Sequence, residues 1–411
     1  MPVDGDPAWP RIALGELAHV KRGAMPSPIN DPKWFSDSGH GYVRISDVTA
    51  SDRILRRTTQ YLSDAGKAAS VEIIPGDLIM SICGTIGRLL FSGINACIHS
   101  GFVTFKAVKT DLIDPEYLYF FLQAHNRYLV AQSQAGTLPN LNSKIVSEIE
   151  IPLPPLWEQR KIAEVLASID QTIALSKRVI AQTKATNASL SQCLLTEENG
   201  HGHFNVANTA TVAASWAERS LEDLSAKPVT YGIKTPGCQV PGGVPLVRGG
   251  DFPNGKISIE TLRTISEETA GKYPRTQLKG AEIVISLLGY PGACAVVPME
   301  LAGANFARQV ALVCPTPEVT LSYLYQFLRS PIGQARLQKE IKGSVQQVIN
   351  VRDLKQVMIT VPPIDKQKQI AATLGDCDDF LNLEYANLTA AAALKETIAA
   401  ELFSGKVRMP G

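Results

Sequence analysis

Apolar residues recur every three or four positions over two long stretches of the chain, a pattern typical of amphipathic helices. The first stretch carries the series Ile162, Val165, Ile169, Ile173, Ser176, Ile180, Thr183, Asn187, Leu190 and Leu194, in which three polar residues interrupt the apolar positions. The second stretch carries the series Ile370, Leu374, Cys377, Leu381, Leu388, Ala391, Leu394, Ile398 and Leu402. Because each apolar stripe is narrow, it needs a second helix to cover it. We therefore predict that the two helices pair, and that they run antiparallel.

Prolines fix where the two helices begin. Pro154-Pro155 and Pro362-Pro363 cannot lie inside a helix, so they place the helix starts near Trp157 and Asp365. A helix over residues 157–195 is about 58 Å long at about 1.5 Å per residue. Since this length exceeds the size of one small domain, we expect the helices to act as spacers between globular modules.

The second half of the chain repeats the first half at an offset of 204 to 210 residues. The repeated features are, in pairs, Val43-Arg44 with Asp47 and Val247-Arg248 with Asp251, the motifs Ser81-x-x-Gly84-x-x-Gly87 and Ser286-x-x-Gly289-x-x-Gly292, Asn95 and Asn305, and the helical segments 117–122 and 323–328. Their order is the same in both halves. The chain is therefore predicted to be an internal duplication.

Each half is predicted to contain one globular module followed by one long helix. Short strands are predicted at residues 41–45, 77–82 and 281–287, separated by Gly and Pro turns. The predicted fold class is α/β (α+β), with two similar globular domains separated by two long antiparallel coiled-coil helices in a pseudo-two-fold duplicated chain. The predicted boundaries are 1–150 for the first module, 151–197 for the first helical spacer, 198–215 for a linker, 216–360 for the second module and 361–404 for the second spacer, with a tail to 411.

Composition and charge narrow the class of protein. With 45% hydrophobic and 19% charged residues, the 411-residue chain has the composition of a globular protein. It lacks an apolar run of the eighteen or so residues that cross a membrane and an N-terminal secretory pattern, so we expect a cytoplasmic protein without membrane contact. Seven cysteines without a CxxC pair favour buried free thiols over a disulfide or zinc framework. The 40 basic and 39 acidic residues nearly cancel, so net charge alone does not indicate nucleic acid.

Motifs for enzymatic chemistry are incomplete in this sequence. Gly405-Lys406 is followed by Val407, so the phosphate-binding loop of nucleotide hydrolases is lacking. Neither Pro-Pro pair follows the Asp or Asn of an amino-methyltransferase box, and Glu340-Ile-Lys342 lacks the Pro-Asp that precedes it in nucleases. His201-Gly-His203 lies in a polar linker without a third ligand at metal-binding spacing. We therefore predict no catalytic residue, no metal and no cofactor bound by this chain.

The segment Pro-Pro-Leu-x-Glu-Gln-Arg-x-Ile at 154–162, its weaker copy at 362–370 and the closing Leu-Phe-Ser-Gly-Lys at 402–406 resemble the specificity (S) subunit of type I restriction-modification enzymes. The resemblance covers almost the whole chain. It implies that the two modules are target-recognition domains, each reading one half of a bipartite site in double-stranded DNA. It also implies that the helices recruit two methyltransferase (modification) subunits and, through them, restriction/translocase subunits. S-adenosylmethionine is then expected on the methyltransferase, not on this chain.

The helix starts differ between the two copies. Where the first copy has Trp157-Glu158-Gln159-Arg160, the second has Asp365-Lys366-Gln367-Lys368 and retains only the glutamine. Trp157, Glu158, Gln159, Arg160, Lys366, Gln367 and Lys368 are the predicted contacts with partner subunits. Helix capping or solvated charge is the alternative explanation of the same residues.

The duplication separates framework residues from residues that can read DNA. Residues identical in both modules cannot by themselves encode two different half-sites, so the glycine motifs are interpreted as strand turns, with a backbone approach to phosphate as the alternative. Arg44 with Asp47 and Arg248 with Asp251 are interpreted as internal ion pairs, although both arginines stay candidates for DNA contact.

Base reading is assigned to polar side chains that differ between the modules. The candidates in the first module are Lys21, Arg22, Asn30, Lys33, Trp34, Thr85 and Arg88. Those in the second are Tyr231, Lys234, Arg275, Tyr290, Arg308, Gln309, Gln346 and Gln347. Solvated surface is the alternative for each of them.

These observations predict a non-catalytic DNA-recognition subunit for an asymmetric, gapped site. Helices of the predicted length allow half-site centres at most roughly 17 base pairs apart. Residues 1–150 contain 14 basic and 15 acidic residues, and residues 216–360 contain 16 and 12, so a partner is expected to complete the DNA clamp. The alternatives are a duplicated protein-binding scaffold without DNA specificity and a stand-alone enzyme.

Overall fold

The duplication is visible as two compact units. A computed structural model describes residues 9–131, 141–196, 216–343 and 346–410. One unit comprises Met1–Lys177 with Asn387–Gly411, and the other comprises Arg178–Ala386. Both boundaries fall inside the long helices. Each unit therefore contains one globular module, the beginning of one long helix and the end of the other.

The first unit is mixed α/β. Its strands are β1 (Arg11–Ala13), β2 (His19–Arg22), β3 (Phe35–Ser36), β4 (His40–Val43), β5 (Ile54–Leu55), β6 (Gln60–Leu62), β7 (Val71–Ile73), β8 (Leu78–Ser81), β9 (Leu89–Ser92), β10 (Ala96–Ile98), β11 (Phe102–Lys106) and β12 (Glu150–Pro152). Its helices are α1 (Leu14–Leu17), α2 (Ile45–Thr49), α3 (Asp64–Ala68), α4 (Pro115–Ala124), α5 (Asn126–Ala131), α6 (Ser143–Ser147) and the beginning of α7 (Leu156–Leu195), with a 3-10 turn at Pro32–Trp34.

Two five-stranded sheets form the module of the first unit, in the orders β3-β6-β4-β10-β7 and β2-β11-β8-β9-β5. A separate pair, β1 with β12, joins the two ends of the module next to α7. Strands such as β8 are buried on both faces, which explains their continuous apolar sequence. Helix α4 packs its aromatic residues into the same core, where Tyr117 donates a hydrogen bond to the Pro152 carbonyl at 2.8 Å.

The second unit repeats this plan with smaller sheets. Its strands are β13 (Ala217–Ser220), β14 (Thr230–Tyr231), β15 (Val244–Val247), β16 (Arg263–Ile265), β17 (Ile283–Ser286), β18 (Cys294–Val296), β19 (Asn305–Phe306), β20 (Val310–Val313), β21 (Ile341–Lys342), β22 (Val348–Ile349) and β23 (Met358–Val361). Its helices are α8 (Glu267–Lys272), α9 (Leu321–Arg329), α10 (Pro331–Lys339), α11 (Val351–Lys355) and the beginning of α12 (Ile364–Phe403), with 3-10 turns at Ile259–Thr261, Pro274–Thr276 and Met299–Leu301.

Corresponding strands pair in the same way in both units. The order β14-β20-β17-β18 repeats β2-β11-β8-β9, and the parallel pair β15 with β19 repeats β4 with β10. The pair β13 with β23 repeats β1 with β12. Tyr323 donates to the Thr360 carbonyl at 2.7 Å, as Tyr117 does to Pro152. The predicted internal duplication is therefore present in three dimensions.

Within each unit the long helices lie antiparallel. In the first unit, Ile162 and Leu166 near the start of α7 share a core with Leu402 and Phe403 at the end of α12. In the second unit, Leu195 at the end of α7 shares a core with Ile370 and Leu374 near the start of α12. These contacts cover the apolar residues near the helix ends, as predicted from their spacing, whereas Leu394 of the second series is 56% exposed.

Three local expectations need correction. The strand predicted at 41–45 ends at Val43, because the Asp47 carboxylate accepts the Arg44 N–H and starts helix α2 at Ile45. Asn95 is not the counterpart of Asn305: Ile98 pairs with Val43 as Phe306 pairs with Val247, so Cys97 occupies the equivalent place. All seven cysteines are free thiols, but only Cys97 and Cys294 are buried.

Among the described helices, none combines the length and the apolar character that a membrane span requires. The predicted linker at 198–215, including His201 and His203, lies outside the described residues.

Candidate nucleic-acid interface

The repeated glycine motif forms a tight turn in each module. In the first, Gly87 N–H donates to the Ser81 carbonyl at 2.8 Å between β8 and β9. In the second, Gly292 N–H donates to the Ser286 carbonyl at 2.9 Å between β17 and β18. The four glycines of the two motifs have φ values from +72° to +100°, which residues with a Cβ rarely adopt. A structural role therefore accounts for their identity in both copies.

The repeated Arg-x-x-Asp segment lies beside this turn and is built differently in the two modules. The Arg248 guanidinium binds both oxygens of Asp251, with Nη2 to Oδ1 at 2.9 Å and Nε to Oδ2 at 3.2 Å. In the first module, Asp47 instead accepts the Thr59 hydroxyl at 2.7 Å, and the exposed Arg44 guanidinium lies 5.9 Å from the centre of the Tyr42 ring. The internal ion pair predicted for both modules is thus formed by Arg248 with Asp251, and the prediction is wrong for Arg44 with Asp47.

An open polar groove of about 710 Å³ lies between these segments in the second module. Four residues predicted to contact DNA line it, namely Arg248, Gln309, Gln346 and Gln347. Tyr290, whose side chain is 55% exposed, lines an adjoining groove that shares Gln347. The structure therefore brings together residues that lie far apart in the sequence.

A second group of candidates continues from this groove. Arg308 precedes Gln309, and its N–H donates to the Ile233 carbonyl at 2.9 Å. Close to Ile233, the Lys234 ammonium lies 5.2 Å from the centre of the Tyr231 ring. Tyr231, Lys234 and Arg308 therefore form a basic and aromatic edge, a combination suited to phosphates and sugars.

Among the candidates of the second module, Arg275 lies apart from the groove and from the basic edge. It is exposed on the 3-10 turn Pro274–Thr276, beside the hydrogen bond from Asn305 to Thr276 at 2.8 Å. Within the described residues, no contact joins Arg275 to the groove or to the basic edge.

The first module places three of its candidates around the corresponding turn. Arg88 donates through Nη2 to the Ser51 carbonyl at 2.9 Å, which ties the turn to the segment after α2. Thr85 is exposed at the tip of the turn. Arg22 donates to the Ser100 carbonyl at 2.8 Å, next to His99.

His99 packs between aromatic rings behind this surface. Its ring lies 5.9 Å from Tyr42 and 4.8 Å from Phe102, and its Nδ1 accepts the Gly101 N–H at 3.0 Å. Burial, with a contribution from the nearby Arg44 charge, lowers the pKa of His99 to about 4. This neutral ring therefore supports the loop next to Arg22 and brings no charge to it.

Lys33 lies elsewhere on the first module. It follows Asp31 at the 3-10 turn Pro32–Trp34, where its ammonium is 3.0 Å from the Asp31 carboxylate and 4.4 Å from the centre of the Trp34 ring. These local contacts account for its position without a ligand.

Two of the predicted partner contacts are internal instead. Gln159 is fully buried, accepts the Asp114 N–H at 2.8 Å and donates to the carbonyls of Leu112 at 2.8 Å and Pro154 at 2.9 Å. Gln367 makes the equivalent three bonds, to Thr320 at 2.8 Å, Glu318 at 2.9 Å and Pro362 at 2.8 Å. The expectation that these glutamines contact partners is corrected, because their amides are used to join each long helix to its module.

Glu158 is also buried, and it holds the C-terminal tail. Its carboxylate accepts two N–H groups of Arg408 and the Met409 N–H, each at 3.0 Å. A partner contact through Glu158 is therefore corrected as well. Nothing in the sequence pattern pointed to Arg408, since the two residues are 250 positions apart and the tail has no copy in the first half.

The remaining candidates at the helix starts are accessible. Trp157 is 43% exposed and lies 5.7 Å from the Lys161 ammonium. Arg160 is exposed and lies 3.6 Å from the Asp114 carboxylate, while Lys368 is exposed near Asp365. Lys366 is partly exposed. These four residues are able to meet a partner without rearrangement of the helix.

Metal-binding groups do not converge in the described part of the chain, where clusters of three or more His, Cys, Asp or Glu at metal-binding distance are absent. The grooves accordingly offer amide, guanidinium, phenol and backbone groups, which form hydrogen bonds to bases and phosphates.

Comparison with protein families gives a match in both halves of the chain. The family model described as "Type I restriction modification DNA specificity domain" matches residues 8–185 and 215–391. The chain is 25% identical over 380 residues to the type I restriction enzyme EcoBI specificity subunit of Escherichia coli, covering 88% of this chain and 78% of that protein. It is 24% identical over 418 residues to the type I restriction enzyme MjaVIII specificity subunit of Methanocaldococcus jannaschii, covering 98% and 93%.

Solved structures show the same fold. The S subunit of a type I restriction-modification system from M. genitalium aligns with a TM-score of 0.60 and 14% identity, covering 98% of both chains. A chain from a study of complex assembly and conformational transition of the type I R-M system aligns with a TM-score of 0.61 and 18% identity, covering 99% of this chain and 100% of that one. At these identities the likeness concerns the fold alone.

Proposed function

Because the chain belongs to the family of type I restriction-modification DNA specificity domains, and is the non-catalytic DNA sequence-recognition subunit of such a system, we propose that each module reads a different half of one gapped DNA site. The first half-site is assigned to the turn and loop of Arg22, Arg44, Thr85 and Arg88. The second is assigned to the groove of Arg248, Tyr290, Gln309 and Gln346 with the edge of Tyr231, Lys234 and Arg308.

One observation carries this proposal: the two modules share a framework but differ in the side chains exposed on it. The glycine turn carries Thr85 in the first module and Tyr290 in the second. In the second module the Leu287 N–H bonds to the Gln309 carbonyl, and the equivalent bond in the first module joins the Ile82 N–H to the Gly101 carbonyl. Gln309 is therefore replaced by Gly101 in the first module. A shared framework with unlike polar groups is what two unlike half-sites require, since base edges are distinguished by their donors and acceptors.

The partner subunits are proposed from the exposed residues at the helix starts and from the family of the chain. The chain acts with partner subunits, and we assign two methyltransferase subunits to the exposed helix starts at Trp157, Arg160, Lys366 and Lys368. S-adenosylmethionine is assigned to those methyltransferases, and restriction or translocase subunits are assigned to the assembly through them. A protein-only scaffold is not favoured, because the matching family is one of DNA specificity.

The proposal is tested by selecting bound sequences from a randomised duplex pool with the complete methyltransferase complex. We expect one asymmetric site with two defined half-sites and an undefined gap. Replacing residues 216–360 by the corresponding module of a relative with another specificity should change only one half-site. A change in both half-sites, or selection of no sequence, contradicts the proposal.

A further inference from the structure

Three glutamine side chains line the groove of the second module without a hydrogen-bond partner among the residues that the structure describes. Gln309 is half-buried, while Gln346 and Gln347 are exposed. Within the described residues, their amides form no hydrogen bond. The contrast with Gln334 is clear, since its amide donates to the carbonyls of Gly292 at 3.0 Å and Leu328 at 2.7 Å. The groove amides therefore keep both donor and acceptor available for a ligand.

The backbone beneath these side chains is fixed. The Leu287 N–H donates to the Gln309 carbonyl at 2.7 Å, and the Ile349 N–H donates to the Leu287 carbonyl at 3.0 Å. An antiparallel bridge joins Leu288 to Val348, next to Gln347. The backbone that carries the three side chains is thus held at Gln309 and next to Gln347. A fixed backbone lowers the entropy lost when the side chains bind a ligand.

The first module has no equivalent of this group. By the same backbone hydrogen bonds, Gly101 stands in the place of Gln309, and Leu141 in the place of Ile349. Counting back from Leu141, the sequence has Leu138 and Pro139 where the second module has Gln346 and Gln347. An amide at all three positions is therefore a property of the second module only.

Resting on the proposed function, we propose that Gln309, Gln346 and Gln347 set the base preference of the second half-site by reading A·T base pairs in the major groove. The glutamine side chain has an NH2 group that can donate to N7 of adenine and a carbonyl oxygen that can accept from its N6 amino group. Arg248 does not discriminate between the half-sites, because it is held by Asp251 and has Arg44 as its copy. Its role is to position the DNA backbone.

The experiment compares the full chain and its variants in the complete methyltransferase complex. The two half-sites are first defined with the wild-type complex by selection from a randomised duplex pool. Competition binding then uses duplexes that differ by one base pair. The variants are Gln309→Ala, Gln346→Ala, Gln347→Ala and the triple substitution. Gln338→Ala, an exposed glutamine on α10 outside the groove, is the matched control.

We expect the triple variant to lose about tenfold or more in discrimination at one or more A·T positions of the second half-site. Discrimination at the first half-site and in the Gln338→Ala control should stay unchanged. Among Gln309→Glu, Gln346→Glu and Gln347→Glu, at least one should shift the preference at its position towards C·G, because a carboxylate accepts from the cytosine amino group.

Several outcomes overturn the inference, and they differ from failure of the proposed function. Unchanged discrimination in the triple variant removes the glutamines from base reading while the gapped site stands. An equal loss on every sequence, with an unchanged salt dependence, identifies phosphate contacts instead, because a neutral amide releases no counterion. An equal loss at both half-sites identifies a general defect of the variant. A wild-type complex that selects no sequence overturns the proposed function, and this inference with it.

Discussion

Glu158 at the start of α7 and Arg408 in the C-terminal tail form a two-pronged ion pair, with Nε and Nη2 of the arginine each 3.0 Å from a carboxylate oxygen. The carboxylate is 1% exposed and the guanidinium 37%. Met409 N–H adds a third hydrogen bond to the same carboxylate. The last residues of the chain are thereby attached to the beginning of a helix in the first unit.

Arg408→Ala should destabilise the first unit by about 2–4 kcal/mol, because it leaves a buried carboxylate without its counter-charge. Urea unfolding of the full chain measures this effect. Lys406→Ala is the control, since Lys406 makes only an exposed ion pair with Glu401 at 3.5 Å, and it should cost less than about 1 kcal/mol. An equal decrease in the free energy of unfolding for both substitutions would contradict a stabilising role of the counter-charge to Glu158. Adding Glu158→Gln to Arg408→Ala should recover part of the loss.

Replacing Gln159 or Gln367 should destabilise only the unit that contains the replaced residue. Gln159→Ala and Gln367→Ala each remove three hydrogen bonds between a buried side-chain amide and the backbone, so each should cost about 2–4 kcal/mol. Amide hydrogen exchange should show the loss of protection in the first unit for Gln159→Ala and in the second unit for Gln367→Ala. Gln369→Ala, exposed on α12, is the control and should leave exchange unchanged. Loss of protection in both units from either substitution would contradict the local role.

Periodicity and repetition were enough to predict the framework. The apolar spacing and the Pro-Pro pairs placed the long helices near their observed bounds, Leu156–Leu195 and Ile364–Phe403. The repeated Tyr117 and Tyr323 segments are the helices α4 and α9 in the structure. These features depend on local spacing, which a single sequence records directly.

Long-range pairing could not be predicted in the same way. The Glu158–Arg408 pair joins residues without a sequence relationship. Loops of unequal length shift the register between the two copies, so the sequence pairs Asn95 with Asn305 although Cys97 is the structural counterpart. Gln159 and Gln367 are more instructive. They are identical in both copies. Identity in both copies assigns the glycine motifs a structural role, and the same reasoning assigns a structural role to these glutamines.

The site was predicted as a set of residue types without their arrangement. Arg248, Gln309 and Gln346 meet in one groove of the second module, and Arg275 lies apart from that groove. In the first module, Lys33 lies apart from the glycine turn that carries Thr85. Which polar residues converge is decided by strand pairing between distant segments, such as Leu288 with Val348. Polar composition alone does not contain that information.

Two neighbouring glycines in the second module should respond differently to alanine. A Cβ on Gly249 would lie 2.2 Å from the Leu288 carbonyl oxygen, whereas a Cβ on Gly250 meets nothing within 4 Å. Gly249→Ala should therefore displace the groove loop, cost about 1–3 kcal/mol and weaken recognition of the second half-site. Gly250→Ala should leave the stability near wild type. Thermal unfolding and competition binding distinguish these results, and identical behaviour of the two variants would contradict the close packing of the loop.

The buried His99 predicts an acid-sensitive first module. Its pKa in the folded protein is lowered to about 4 from an ordinary 6.5, so its contribution to stability is complete above pH 6.5. As the pH falls from 6.5 towards 4, the unfolded chain binds a proton that the folded chain does not, and the free energy of unfolding decreases by up to about 1.4 kcal/mol per pH unit. His99→Phe should flatten this dependence. His19→Gln, which removes an exposed histidine of the same module, is the control, and equal slopes for wild type and His99→Phe would refute the assignment.

Trp157 provides the sharpest test of the helix start as a partner surface. It is 43% exposed at the beginning of α7, directly beside the buried Glu158 and Gln159 that fix the helix in place. Large aromatic side chains on a rigid support are typical centres of protein interfaces, so Trp157→Ala should weaken assembly with the proposed methyltransferase subunits by about tenfold or more. The free energy of unfolding of the isolated chain should change by less than about 1 kcal/mol. Ile74→Ala, which removes another exposed apolar side chain of the first unit, should leave assembly unchanged. Sedimentation or mass photometry of the reconstituted complex measures the effect, and wild-type assembly of Trp157→Ala would move the partner surface away from this helix start.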